Sequence, residues 1–96
     1  MSPIVYLKRY QRHGFYHYAK VWPDRHPPLS EVLNFLNQMP LIEHREYDLE
    51  AASDQIEFQA LFEAWEWIEE AEFKRAYKRA TAGDFQIYVN GKRVES

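Results

Sequence analysis

Apolar and aromatic positions fall into five groups along the chain, and their spacing predicts the elements. From Ile4 to Trp22, apolar and aromatic residues dominate around a central His13-Gly14. That is the sequence of a β-hairpin with a two-residue turn, because Gly14 tolerates the positive φ such a turn demands. A two-residue turn with no irregularity sets Arg9 opposite Tyr18, Lys20 opposite Leu7 and Tyr10 opposite His17. Pro23, Pro27 and Pro28 then interrupt any ladder or helix. Val32, Phe35, Leu36 and Met39 recur at helical spacing behind Ser30, a residue suited to capping, and Pro40 closes the segment. This pattern predicts a short first helix from about Ser30 to Met39. Leu41 to Leu49 alternates imperfectly, with Glu43 and Arg45 inside it, and reads as a charged edge strand.

The longest pattern runs from Ser53 to Ala80. Phe58, Leu61, Phe62, Trp65 and Ile68 form one stripe, continued by Phe73, Ala76 and Ala80. Ser53 or Asp54 suits the N-cap, with Glu57 in the position of a capping-box partner. The expectation is one long helix. Ala60, Ala64, Trp67 and Ala71 make a second row on its far side, which would be free for another element or a second copy of the chain. Phe85, Ile87 and Val89 alternate as a strand, and Asn90-Gly91 is a strong type I′ turn signal that returns the chain through Lys92–Val94. The predicted architecture is α+β: a small antiparallel or mixed sheet, formed by the N-terminal hairpin and the C-terminal strand. One short and one long helix cover it on one face.

With 96 residues the chain has room for one domain, residues 1–96. It has no cysteine, so disulfides, thiolate metal sites and cysteine nucleophiles are excluded together. Aromatic residues make up 17%, enough apolar area to argue against disorder. No secretory pattern and no apolar run long enough to span a bilayer occurs, so the cytoplasm is the expected location.

The net charge of −3 conceals a three-block pattern. Residues 1–27 carry five cations against Asp24, residues 28–73 carry twelve acids against Arg45 alone, and residues 74–96 carry six cations against two acids. A duplex-binding domain is normally basic overall; this chain is bipolar.

Catalytic chemistry finds little material. The serines stand in no nucleophile-elbow motif, and Ser30 and Ser53 suit helix caps better. Three separated glycines assemble no phosphate loop. His13 and His17 on a strand would hold their rings about 13 Å apart, too far for one metal ion. No enzyme activity, cofactor or metal is therefore expected.

Two surfaces remain. Glu63, Glu66 and Glu70 would share one helix face around Trp67, with Lys74 following Glu70 by four residues. An exposed tryptophan ringed by charge has the composition of a binding hot spot. The favoured reading is thus a small binding or inhibitor protein. It would dock on a protein or ribonucleoprotein with a basic surface through Glu63, Glu66, Trp67, Glu70 and Lys74, with homodimerisation through the alanine row as an alternative use. In general character such a compact, cysteine-free, catalytically bare chain resembles the small inhibitors of host systems encoded by phages and mobile elements. The second surface is the hairpin, where Lys8, Arg9, Arg12, Tyr16, Tyr18 and Lys20 interleave cations with rings. That is the material of a stacking platform for single-stranded nucleic acid, the alternative function.

Overall fold

A computed structural model describes residues 3–35 and 39–94. Among them the order is β1 (Val5–Arg12), β2 (Phe15–Trp22), β3 (Leu29–Asn34), β4 (Leu41–Glu46), α1 (Ala52–Ala64), β5 (Glu66–Trp67), α2 (Glu70–Ala80), β6 (Gln86–Val89) and β7 (Lys92–Val94). The strands form one mixed sheet in the order β5-β1-β2-β3-β4-β6-β7. All neighbours are antiparallel except β4 and β6. The class is α+β, with a larger sheet than the sequence pattern suggested.

Both tight turns form where Gly follows a residue that tolerates the left-handed region. His13 and Gly14 have φ of 55° and 78°, and Asn90 and Gly91 have 51° and 82°, the conformation of type I′ turns. The hairpin register differs from the expected one. Arg12 pairs with Phe15 as a two-residue turn requires, but the register shifts between Tyr10 and Arg12. Beyond that irregularity Arg9 faces His17, Lys8 faces Tyr18 and Tyr6 faces Lys20. One additional residue on β1 moves every later partner by one.

The predicted first helix is a strand. Leu29–Asn34 pairs with β2 on one side and β4 on the other. Val32 and Phe35 fit a helical period, but Leu33 and Val32 also point to opposite apolar layers, and a segment with a ladder on each side satisfies its whole backbone that way. Ser30 is buried in the sheet, where its hydroxyl bonds that of Tyr47 at 2.9 Å instead of capping a helix. Leu36 lies outside the described residues. Nor is Leu41–Glu46 an edge: it is interior, between β3 and β6.

The long helix is broken as well. Trp65 and Glu69 are both extended (φ −104°, ψ 146° and φ −86°, ψ 155°), and the residues between them hold β5 against β1. Trp65, Trp67 and Ile68 are bulky and suit an extended segment, and the pairing of Glu66 and Trp67 with Lys8 and Leu7 covers part of the otherwise bare edge of β1. The break lets one sequence stripe serve both faces of the sheet. Leu61, with Phe58, Phe62 and Trp65, packs on Val5, Leu7, Ala19, Val21 and Tyr47. Phe73 and Ala76, with Ile68, pack on Tyr18, Leu33 and Ile42. Strand side chains alternate between faces, so these are opposite layers. The two helices sandwich the sheet where one-sided cover was expected.

The expected capping box is absent. Ala51 stands at the α1 N-cap without a side-chain bond. Asp54 instead accepts the Asp48 N–H at 2.8 Å and pairs with Arg45 at 3.1 Å, while Glu57 pairs with the same guanidinium. Arg45 also lies over the Tyr47 ring, 4.8 Å from its centroid. No helix among the described residues is long and apolar enough to cross a membrane.

Candidate docking edge

β5 is the outer strand at one end of the sheet. The Ile68 N–H donates to the Tyr6 carbonyl at 2.9 Å. Leu7 and Trp67 are therefore a non-hydrogen-bonded pair, and the N–H and C=O of Trp67 point to the open edge. Trp67 is 63% exposed. Its indole shares the α1 layer with Leu7, and its ring centroid lies 6.3 Å from that of Phe62. An exposed indole beside unpaired backbone groups offers a partner both apolar area and ladder hydrogen bonds.

The five residues read from the sequence as one helical face do not share one. Glu63 is exposed on the last turn of α1 and Trp67 projects on the α1 side. Glu66, one residue before Trp67 on a strand, turns to the other side, where Lys8 Nζ lies 3.9 Å from it and 2.9 Å from Glu72. Glu70 opens α2, accepting the Tyr6 hydroxyl at 2.7 Å and pairing with Lys74 at 3.3 Å. Burial and the Glu70 carboxylate push the Tyr6 phenol up to about 12, while that hydrogen bond and Lys74 hold Glu70 below the usual carboxylate range. Glu63, Glu66, Trp67 and Glu70 flank the edge strand, whereas Lys74 stands a turn into α2 and is linked to them through Glu70. Glu63, Glu66, Glu69 and Glu70 are all exposed around Trp67 in the sequence, on both sides of one strand.

The hairpin residues are also divided. Tyr18 is 9% exposed and packs edge-on to Phe35. Tyr16 is half-buried between Tyr10 and Tyr18, with Lys8 over its ring at 5.0 Å. The hydrogen bond from Lys8 to Glu72 raises the lysine pKa and fixes the ammonium in place. Lys20 lies over the Trp22 ring at 5.0 Å. Arg9 and Arg12 are exposed, Arg9 in the α1 layer beside its partner His17. Burial lowers the His17 pKa, and its Nε2 is sealed without a hydrogen bond.

Sequence spacing did not unite Lys20, Trp22, Tyr77 and Lys78. Only the register, which sets Lys20 under α2, brings them to one side of the sheet. The i,i+4 pair Lys74 and Lys78 with Tyr77 between them was the available signal, and it reads equally well as cations complementing a helix C-terminus.

No group of three or more His, Asp or Glu side chains placed to hold a metal ion occurs among the described residues. Set against known proteins, the chain matches no family model, no curated protein and no solved structure.

Proposed function

We propose that this chain is a non-enzymatic docking protein that occupies a basic surface on a protein or ribonucleoprotein partner, with the β5 edge as its contact. The exposure of Trp67 on an open strand edge carries the reading. A large indole left in water offers area that only a partner would bury. Charge supports the choice of partner. α1 bears Asp54, Glu57 and Glu63 and no cation, and Glu66, Glu69 and Glu70 continue the acidic run past Trp67. Two copies joined through β5 would set these carboxylates against each other, which disfavours a homodimer there and favours a basic partner. Binding of this kind fits an inhibitor that acts by covering its target.

The test is affinity capture from a lysate of the encoding organism, with and without nuclease, using the wild-type chain and W67A. One protein retained after nuclease treatment and lost with W67A is the expected result. Capture indifferent to W67A, or only nuclease-sensitive material, would overturn the reading.

A further inference from the structure

On the face opposite Trp67, α2 runs beside the row Tyr6, Lys20, Glu31, His44, whose members are successive partners across β1 to β4. Between helix and row lies a groove of about 470 Å³, lined by Tyr6, Lys20, Glu31, Lys74, Tyr77 and Lys78 among others. That volume is the scale of a small-molecule site. Three lysines from two elements, Lys20 on β2 and Lys74 and Lys78 on α2, line it. Among the described residues the Lys78 ammonium has no carboxylate within ion-pair distance, Lys74 has an exposed pair with Glu70, and Lys20 rests over Trp22. Exposed pairs are weak and readily exchanged, so all three cations are available to an incoming anion.

The groove also has a ring. Tyr77 is 39% exposed and stacks on buried Phe73, with centroids 6.3 Å apart and planes at 30°. One face of Tyr77 is thus backed by the core, which leaves the other for a flat ligand. Farther along the sheet, Trp22 lies between Lys20 and Arg25, whose guanidinium carbon is 5.5 Å from the ring centroid. Glu31 lines the groove, its side chain 14% exposed and 3.6 Å from His44, and the Glu70 carboxylate stands beside it, bonded to Tyr6 and paired with Lys74. Cations flanking an open aromatic face recognise a phosphate joined to a planar base.

From this arrangement we infer that the α2 groove is a binding site for a nucleoside phosphate, with the phosphate held by Lys20, Lys74 and Lys78 and the base stacked on Tyr77. The same chemistry is offered by a free mononucleotide and by a nucleotide within a single strand. The site is independent of the β5 edge and lies in the opposite layer.

The full chain, labelled for NMR, is titrated with adenosine 5′-monophosphate, with adenosine, with inorganic phosphate and with a six-nucleotide single-stranded RNA. Saturable shifts at Lys20, Lys74, Tyr77 and Lys78 with the monophosphate are expected, with weaker binding of phosphate and weaker still of adenosine. Lys78→Ala and Lys20→Ala each weaken the monophosphate about fivefold. Glu31→Gln tightens it about threefold by removing a nearby like charge. Binding of the hexamer no tighter than the monophosphate assigns the groove to a free nucleotide, and much tighter binding with a steep salt dependence assigns it to a strand; either supports the site. Absence of saturable shifts, affinity unchanged in both lysine variants, or shifts confined to α1 and β5 would overturn it. Trp67→Ala leaves the titration unchanged, so failure here and failure of the docking edge are separable.

Discussion

The two faces of the sheet are covered by halves of one apolar stripe, yet they are held in different ways and carry opposite charge. α2 is a self-consistent helix: Glu70 and Glu72 lie in its first turn, Lys78 and Arg79 in its last, and Phe73, Ala76 and Ala80 are buried. Its ends complement the helix dipole. α1 has no side-chain cap, no cation in its last turn and one buried residue, Leu61. It is tied down by half-buried rings and by Arg45, which reaches from β4 to Asp54 and Glu57. α1 is purely acidic, whereas Lys74, Arg75, Lys78 and Arg79 outnumber the two acids of α2. A helix held by a few anchors tolerates loss of its own core contacts better than one packed along its length. The difference separates a firm, basic layer from a lightly fastened, acidic one.

The sharpest way to break this comparison is to empty each layer in turn. Phe73→Ala removes a ring that is 3% exposed and is expected to cost about 3–5 kcal/mol. Leu61→Ala is expected near the lower end of about 2–5 kcal/mol, because open surroundings relax more easily. Urea unfolding measures both, and equal losses would show that the layers are equally packed.

Arg45→Ala comes next. It removes two charge-assisted contacts and the stacking on Tyr47, about 1–3 kcal/mol in all. Amide exchange should quicken throughout α1 and stay slow in α2. Acceleration in both helices together would mean that the sheet couples them into a single opening unit.

A smaller effect comes from pH. Burial disfavours the charged form of His17, so its folded pKa lies below the ordinary 6.5. As pH falls through 6.5 the unfolded chain takes up the proton first, and stability, complete above that value, declines until the lower folded value is passed. Glu70 is depressed from a lower ordinary value of 4.5, so its contribution is lost only under more acidic conditions. Thermal unfolding between pH 7 and pH 5 should therefore decline in the wild type and flatten in His17→Gln; an identical decline in both would place the effect elsewhere. Smallest of all on the fold is Trp67→Ala, expected within about 0.5 kcal/mol of wild type by the same urea assay because the side chain is largely in water.

Local turn chemistry made the two hairpins legible, since His13-Gly14 and Asn90-Gly91 each require what those residues supply. The irregularity on β1 left no mark in the sequence, because Gln11 suits a regular strand as well as a displaced one. Val32 and Phe35 satisfied two periods at once, and pairing with β2 and β4 decided between them. The stripe from Phe58 to Ala80 was the right set of core residues with the wrong geometry: a straight helix and a helix–strand–helix bury the same positions, but on one layer or on two. Trp67 stands outside either way, for different reasons. As a helical residue it lies across from Phe58; as a strand residue it sits on an open edge. The split of Glu66 from Trp67 followed only from the strand.

The proposed docking function requires the acidic Trp67 edge to be the surface that a partner covers. Amide hydrogen exchange, measured on the chain alone and in its nuclease-resistant complex, tests this most directly. New protection should centre on β5 and reach the adjoining end of α1, with β7 and the last turns of α2 unchanged. Protection over α2 or β7, with the amides of Glu66 and Trp67 exchanging as in the free chain, would contradict it.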